Sequence, residues 1–315
     1  MNRCPLTYRL LPPGTSYAPE GLRALHPSLR TLAPLPFTAS KLRQEAAARA
    51  DKMSVGGVQP KVSAVLDLDE STGEGAFRVV DRGGRYLLKP PPDAYPEVPA
   101  NEDLTMRLAR LAGVETPWHG LVRTSDGDLC YAIRRFDRSD DGSKLAVEDV
   151  GQLMGLGRDA KYDASMRDLA HTVLAACTIP RQEAIRLFRL VLVNYLVGNE
   201  DGHLRNFSVL TLPTTQVVLA PAYDVLNSTI VLRNAQEEIA LTVANAKSGL
   251  QRSDLLWYLG EEQMGLPKRT VKRLVAEVER AQSLWDDLLD RSLLSPAMQA
   301  RYREVLAARR AVLFA

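Results

Sequence analysis

Cysteine is scarce in this chain: Cys4, Cys130 and Cys177 are the three among 315 residues, widely spaced and odd in number. That excludes a disulfide framework. With no CxxC pair and four dispersed histidines (His26, His119, His171 and His203), no zinc site is expected either. Lone thiols suit a reducing cytoplasm. Long apolar runs are missing too. The most apolar one, Leu190 to Val197, is far too short to span a bilayer, and the start, MNRCPLTYRLLPPGTS, offers no apolar stretch of useful length before its prolines. Neither a transmembrane helix nor a signal peptide is expected, and no membrane contact. An excess of one charge is absent as well. The balance of 40 Lys and Arg against 38 Asp and Glu leaves +2, too little for a dedicated nucleic-acid binder.

What remains is an ordinary globular balance, 45% hydrophobic and 25% charged, in a length that allows one or two domains. The first fifty residues are broken by Pro12, Pro13, Pro34 and Pro36, with a possible helix over Thr38 to Ala50, and carry no evident chemistry. A turn-rich loop, Ser54 to Lys61, leads into an alternating strand over Val62 to Leu68. Asp81-Arg82-Gly83-Gly84 reads as the turn between Phe77–Val80 and Tyr86–Lys89, so the strands predict an antiparallel sheet. A helix is predicted over Asn101 to Ala112, with Asn101 as N-cap, Leu104, Leu108 and Leu111 on one face, and Gly113 at its end. Strand-like runs follow near Gly120–Arg123 and Leu129–Phe136. After the polar connector Asp137–Lys144 the chain turns mainly helical. Ile185, Phe188, Leu192 and Leu196 form one apolar face. Leu274, Val278, Ala281, Trp285 and Leu288 form another, and Ser295-Pro296 opens a last helix. The order predicts an α+β chain of two lobes, a small β-rich one over residues 1–136 and a larger helical one over residues 137–315, the layout of protein kinases.

Four features could carry chemistry. The first is Gly198-Asn199-Glu200-Asp201-Gly202-His203-Leu204-Arg205-Asn206-Phe207-Ser208, placed after a helix and before a strand. Asp201 and Asn206 have the D-x-x-x-x-N spacing of a kinase catalytic loop. There the carboxylate takes the proton of an attacking hydroxyl, and the amide oxygen turns back to a metal that bridges phosphates. The bland alternative is a capped polar loop. The second is Ala220-Pro221-Ala222-Tyr223-Asp224-Val225, an acid at a strand end, suited to hold that metal or else a plain surface turn. The third is Lys89, whose charge on a Leu- and Tyr-rich strand needs a partner. Glu102 has better reach for that than Asp103. The fourth is Gly56-Gly57, which lets backbone approach phosphates closely or simply makes a tight turn. Each is modest alone; the kinase order of all four is what carries weight.

The strings SVGGVQPK, YLLKP, IRRFDR, GNEDGHLRNFS and APAYDV resemble the HipA family of bacterial kinases, from about Ser54 onward. The short N-terminal part, PPGTSYAPEGLRAL, is similar to the HipT branch. The resemblance implies an ATP- and Mg²⁺-dependent serine/threonine protein kinase, the toxin of a type II toxin–antitoxin system. Gly56, Gly57, Val58, Gln59, Pro60 and Lys61 would cover the phosphates, and Lys89 would bind them. Arg134, Arg135 and Phe136, in the segment joining the lobes, would meet the adenine, and Gln152 the ribose. Asp201 would be the general base, with His203, Leu204 and Arg205 near the nucleotide. Asn206 and Asp224 would hold Mg²⁺, with Tyr223 beside them. Ser54 matches the family's autophosphorylated serine. A phosphate there adds about −1.5 to −2 charge and would repel ATP from the loop. The HipT pattern often has a second serine two positions on, where this chain has Gly56.

By the same resemblance the expected partners are a HipB-type antitoxin, a small HipS-like protein, and an aminoacyl-tRNA synthetase as substrate. DNA would be met only through the antitoxin. Two rival readings stay open. One is a small-molecule phosphotransferase of kinase-like fold, although Asn199 stands where such enzymes carry histidine, two residues before the aspartate. The other is a pseudokinase subunit of a repressor complex. The string IALTVANAKSGLQRSD, residues 239–254, resembles a HipA segment but has no evident physical role.

Overall fold

The computed structural model describes residues 2–49, 60–139, 141–232 and 235–315. Ser54, Gly56, Gly57, Val58 and Gln59 lie outside the described residues. The chain divides into two compact units.

The first unit comprises residues up to Asp103 together with Pro117–Gly142 and Asp290–Ser295. Its elements are α1 (Pro19–Leu25), β1 (Thr31–Leu32), α2 (Ala39–Arg49), β2 (Val62–Asp69), β3 (Glu74–Val79), β4 (Tyr86–Lys89), the start of α3 (Val98–Leu111), β5 (His119–Arg123) and β6 (Leu129–Arg134). Six strands form one sheet in the order β1-β3-β2-β4-β6-β5. The expected antiparallel pairing holds from β3 to β5, while β1 runs parallel to β3. The β4 register sets Lys89 opposite Tyr131 on β6. Alternation then aims Tyr86 and Leu88 into a core shared with Phe77, Val122 and Cys130. Phe77 and Trp118 meet the Tyr86 ring edge-on, with centroids 5.1 and 5.9 Å away. The first fifty residues do more than precede this sheet. Cys4, Leu6, Leu22, Leu25, Leu35 and Leu42 belong to the same core, and β1 extends the sheet edge.

The predicted helix at Asn101 begins three residues earlier, at Val98. Pro99, in its first turn, needs no N–H donor there, which lets the helix start upstream. Asn101 is therefore an interior helical residue, fully buried, and not the cap. Leu104 and Leu108 are buried as expected, but Leu111 is 40% exposed, so the apolar stripe ends one turn sooner.

The second unit comprises Leu104–Thr116, Ser143–Leu289 and Pro296–Ala315. It contains β7 (Val147–Asp149), α4 (Val150–Leu153), α5 (Met166–Ala176), α6 (Pro180–Val197), β8 (Ser208–Thr211), β9 (Val217–Leu219), α7 (Lys268–Asp290, all but its last residue) and α8 (Pro296–Leu313), with a wide helical stretch over Asp254–Gln263. The three strands pair antiparallel in the order β7-β8-β9. Helix α6 is the spine. From Leu190 to Val197 every residue is buried, so the helix is enclosed all round and packs α5 on one side and α8 on another. A fully buried side chain of this kind is worth about 1.5–3 kcal/mol. Glu183, buried in its first turn, accepts the Leu219 N–H at 3.0 Å and pairs with Arg186 at 2.7 Å, tying β9 to the spine. The Pro296 start of α8 is as predicted. Among the described residues no helix is long and apolar enough to cross a membrane.

Candidate active site

The spine ends where the D-x-x-x-x-N loop begins. Gly198 takes a left-handed conformation (φ 69°), and the Asn199 N–H reaches back to the Asn194 carbonyl at 2.9 Å, a glycine-terminated helix end. A Cβ at Gly198 would come within 2.7 Å of Val305 Cγ1 and 2.8 Å of Thr229 Oγ1, so both the backbone and the space require glycine. The next two residues are buried anchors. Asn199 donates from Nδ2 to Asn194 Oδ1 at 3.1 Å. The Glu200 N–H donates to Ser228 Oγ at 2.7 Å, and its carboxylate accepts from Thr229 Oγ1 at 2.5 Å and from the Glu237 N–H at 3.2 Å. With these held, Asp201 projects outward, its side chain 49% exposed. A carboxylate pinned by its backbone and open to an incoming group is what a general base requires.

A single-turn helix, Leu204–Asn206, follows. His203 caps it, and the Asn206 Oδ1 accepts the His203 N–H at 3.1 Å, so the amide oxygen turns back over the loop that carries Asp201. Burial pushes the His203 imidazole below the ordinary histidine range, partly offset by the nearby Asp201 and Asp224 carboxylates. Arg205 donates to Asp149 at 3.2 Å and to the Leu156 carbonyl at 3.1 Å. Asp149 caps α4 in a reciprocal box with Gln152, at 2.8 and 2.9 Å, so Gln152 spends its Oε1 on the helix start. Leu204 is buried.

The second acid is fixed to the same loop. The Tyr223 hydroxyl donates to the Arg205 carbonyl at 3.0 Å and lies 2.5 Å from Ser208 Oγ. Burial raises the Tyr223 phenol above its ordinary pKa, which keeps it a donor. Asp224 follows with φ 53°, a left-handed conformation unusual for a side-chain-bearing residue. Such backbone strain clusters at functional sites. An amide oxygen, on Asn206, and a carboxylate, on Asp224, are hard oxygen donors of the kind that Mg²⁺ takes alongside phosphates.

In the first unit, Lys89 Nζ meets Glu102 Oε1 at 2.6 Å, both side chains almost fully buried. The partner is thus Glu102, the residue favoured for reach. Asp103 instead accepts from the Tyr8 hydroxyl at 2.6 Å and faces His119 Nδ1 at 2.8 Å. Lys61 is buried immediately before β2, next to Pro60. Arg134 donates its N–H to the Trp118 carbonyl at 2.8 Å, and its guanidinium reaches the Leu25 carbonyl at 2.9 Å. Arg135 pairs bidentately with Asp137 at 2.9 and 2.7 Å, and Phe136 lies between them.

Sequence reading missed three residues that gather at Asp201. The Tyr162 hydroxyl donates a hydrogen bond to its Oδ1, and Lys161 Nζ is 4.0 Å from the same oxygen. Lys247 Nζ lies 5.6 Å from the centre of the Tyr162 ring. Burial, followed by the Asp201 carboxylate, raises the Tyr162 phenol above its ordinary value, so it remains protonated.

The HipA-like C-terminal domain matches residues 53–285. A provisionally named kinase of Haemophilus influenzae is 28% identical over 306 residues, covering 89% of this chain and 87% of that protein. Another, Y4dM of Sinorhizobium fredii, is 31% identical over 255 residues, 77% of this chain and 61% of that one. The serine/threonine-protein kinase toxin HipA of Shewanella oneidensis is 26% identical over 212 residues, 61% of this chain, and the chain spans 47% of the toxin's length. Among solved structures, the Shewanella oneidensis complex of HipA, HipB and operator DNA aligns with a TM-score of 0.67 at 20% identity, covering 90% of this chain and 74% of that one. The Helicobacter pylori proinflammatory kinase CtkA aligns at 0.58 and 13% identity, covering 83% and 91%. The fold is a kinase-like α+β fold.

Proposed function

We propose that this chain, which belongs to the HipA-like C-terminal domain family, transfers the γ-phosphoryl group of Mg-ATP to serine or threonine hydroxyls of a protein. The observation that carries this reading is the loop after α6: Asp201 held outward by two buried neighbours, with the Asn206 oxygen folded back five residues on.

In this reading residues 1–136 supply the phosphate-covering loop and the lysine, and residues 137–315 the base and the metal ligands. The acceptor oxygen attacks the γ-phosphorus as the bond to the β–γ bridging oxygen breaks. Asp201 takes the hydroxyl proton, and ADP leaves. The Lys89 ammonium has three protons, enough to serve Glu102 and a phosphate oxygen together. Gly56, Gly57, Val58, Gln59, Pro60 and Lys61 cover the phosphates. Arg134, Arg135 and Phe136 meet the adenine; both guanidinium groups have structural partners, as do the Arg134 and Arg135 N–H groups, on the Trp118 and Arg85 carbonyls. The capping box of Gln152 uses one end of its amide and leaves the NH₂ to face the ribose. His203, Leu204, Arg205 and Tyr223 hold the loop around the nucleotide. Asn206 and Asp224 would hold Mg²⁺, which would supply neutralisation of phosphate charge.

We further propose a toxin role. The Shewanella oneidensis neighbour is a complex with HipB and operator DNA, which supports an antitoxin of HipB type as partner here, with DNA reached through it. A HipS-like small protein, a cytoplasmic setting, an aminoacyl-tRNA synthetase substrate and autophosphorylation at Ser54 complete the proposal. Silencing a synthetase would leave its tRNA uncharged and stop growth.

The test is product mapping. The purified chain is incubated with Mg-ATP and a panel of synthetases, and phosphopeptides are located by mass spectrometry. Phosphate on Ser54 and on one synthetase supports the proposal. Phosphate only on added small hydroxylated compounds would indicate a small-molecule phosphotransferase. Antitoxin binding without any ATP turnover would indicate a pseudokinase subunit of a repressor.

A further inference from the structure

Asp201 is not held by its own loop alone. Its Oδ1 accepts the Tyr162 hydroxyl and faces Lys161 Nζ at 4.0 Å. Among the described residues its Oδ2 has no hydrogen-bond partner. The terminal torsion of an aspartate is broad and soft, so a half-exposed carboxylate has no preferred orientation of its own. A strong O–H···O⁻ bond to one oxygen removes that freedom.

Tyr162 is itself braced. Lys161 Nζ and Lys247 Nζ lie 4.8 and 5.6 Å from its ring centre, and the His203 ring meets it edge-on at 5.2 Å. Lys247 comes from the 239–254 segment, the string without a role. Backbone bonds set its position. The Met166 N–H donates to the Thr242 carbonyl at 2.9 Å, which fastens the segment to the chain just after Tyr162. Val243 and Ala246 then exchange both backbone bonds, at 2.8 and 2.9 Å, around a two-residue turn. Ala244 and Asn245 in that turn have φ 48° and 68°. The chain emerges at Lys247, which Glu237 steadies at 3.3 Å.

We propose that Tyr162, backed by Lys161 and Lys247, is a positioning residue for Asp201: it occupies Oδ1 and so presents Oδ2 to the acceptor hydroxyl. This rests on the kinase reading above and adds a residue and a segment to it. The contact that Tyr162 makes is with the Asp201 carboxylate. It acts through the carboxylate, and orientation of that kind is worth about tenfold to a hundredfold in rate. The 239–254 segment has its role here, as the arm that delivers Lys247.

The test uses the full chain and two readouts, Mg-ATP hydrolysis and self-phosphorylation, for wild type, Tyr162→Phe, Lys161→Met, Lys161→Arg and Asp201→Asn. Tyr162→Phe keeps the ring and both cation contacts and removes only the donor. The expected result is a kcat lower by about tenfold to a hundredfold with KM for Mg-ATP and melting temperature unchanged. Lys161→Met should show a smaller loss of the same kind, recovered in Lys161→Arg. A Tyr162→Phe kcat equal to the wild type's, or above it, overturns the proposal while a dead Asp201→Asn leaves the kinase reading standing. A loss confined to KM or accompanied by unfolding also overturns it. Asp201→Asn as active as wild type, or a wild type with no turnover, removes the kinase reading and this proposal with it.

Discussion

Lys89 Nζ and Glu102 Oε1 stand 2.6 Å apart with their side chains only 3% and 1% exposed. At such burial the two charges depend on each other. Removing one takes from the other its 2.6 Å counter-charge in a poorly solvated place, which costs about 3–5 kcal/mol. Glu102→Ala should therefore lower the urea midpoint strongly. Replacing both partners, as in Lys89→Met with Glu102→Leu, should restore most of that stability, because apolar groups of similar volume carry no desolvation cost. Nucleotide binding should stay lost in the double variant. A stable double variant that still binds Mg-ATP normally would make the pair purely structural.

Gly198 joins the spine to the loop that carries Asp201, and both its φ of 69° and its neighbours exclude a side chain. Gly198→Ala places a methyl against Val305 and Thr229 in a conformation that costs about 1–2 kcal/mol by itself. The melting temperature should fall by several degrees. The shift of Asn199 and Glu200 should lower kcat at temperatures where the variant is still folded. Wild-type kcat in a destabilised Gly198→Ala protein would separate the loop from its helix end.

The tight turn before Lys247 offers the opposite effect. Ala244 sits at φ 48°, where glycine has no steric penalty. Ala244→Gly should raise stability by about 0.5–1 kcal/mol, the strain relieved being partly offset by a more flexible unfolded chain. Thermal denaturation measures it directly. A lower melting temperature would mean that the Ala244 methyl makes contacts worth more than the strain.

The strands and helices were largely legible because each buries one face, and burial imposes period on the sequence. The Val62, Ala64 and Leu66 alternation and the Leu274, Val278, Ala281, Trp285 spacing are direct marks of that. Asp201, Asn206, Lys89 and Glu102 stood out because their order and spacing match what phosphoryl transfer asks for; the structure pairs Lys89 with Glu102 and turns the Asn206 oxygen back to the His203 N–H. The first fifty residues were not. Cys4, Leu6 and Leu22 enter the core from short irregular segments that have no period to read. The start of α3 was misplaced because Asn101 looks like a cap, whereas the Pro99 two residues before it was already helical. Lys161, Tyr162 and Lys247 gave no signal. They meet across some 85 residues of sequence through a bond between Met166 and Thr242 and a turn, and nothing local distinguishes a lysine that faces a ring from one in water.

Asp224 and Asp201 should separate by ligand. Asp224→Ala should weaken binding of Mg-ATP by tenfold or more, by the rough scale of a lost metal ligand or its support, while leaving Mg²⁺-free nucleotide binding alone. Asp201→Asn should bind Mg-ATP as the wild type does. Calorimetric titration with a non-hydrolysable ATP analogue, with and without Mg²⁺, distinguishes the two. Equal metal dependence in Asp224→Ala and wild type would remove Asp224 from the ion.

The most direct measurement is single-turnover transfer of the γ-phosphoryl from labelled Mg-ATP to protein, by wild type and by Asp201→Asn at matched folded concentration. Asp201→Asn is isosteric, so the loop anchored by Asn199 and Glu200 should keep its shape. Protein-bound label is expected with the wild type, and a rate lower by about a thousandfold or more in the variant, the effect of losing the base that takes the acceptor proton. Label transferred by Asp201→Asn at the wild-type rate would contradict that role for Asp201.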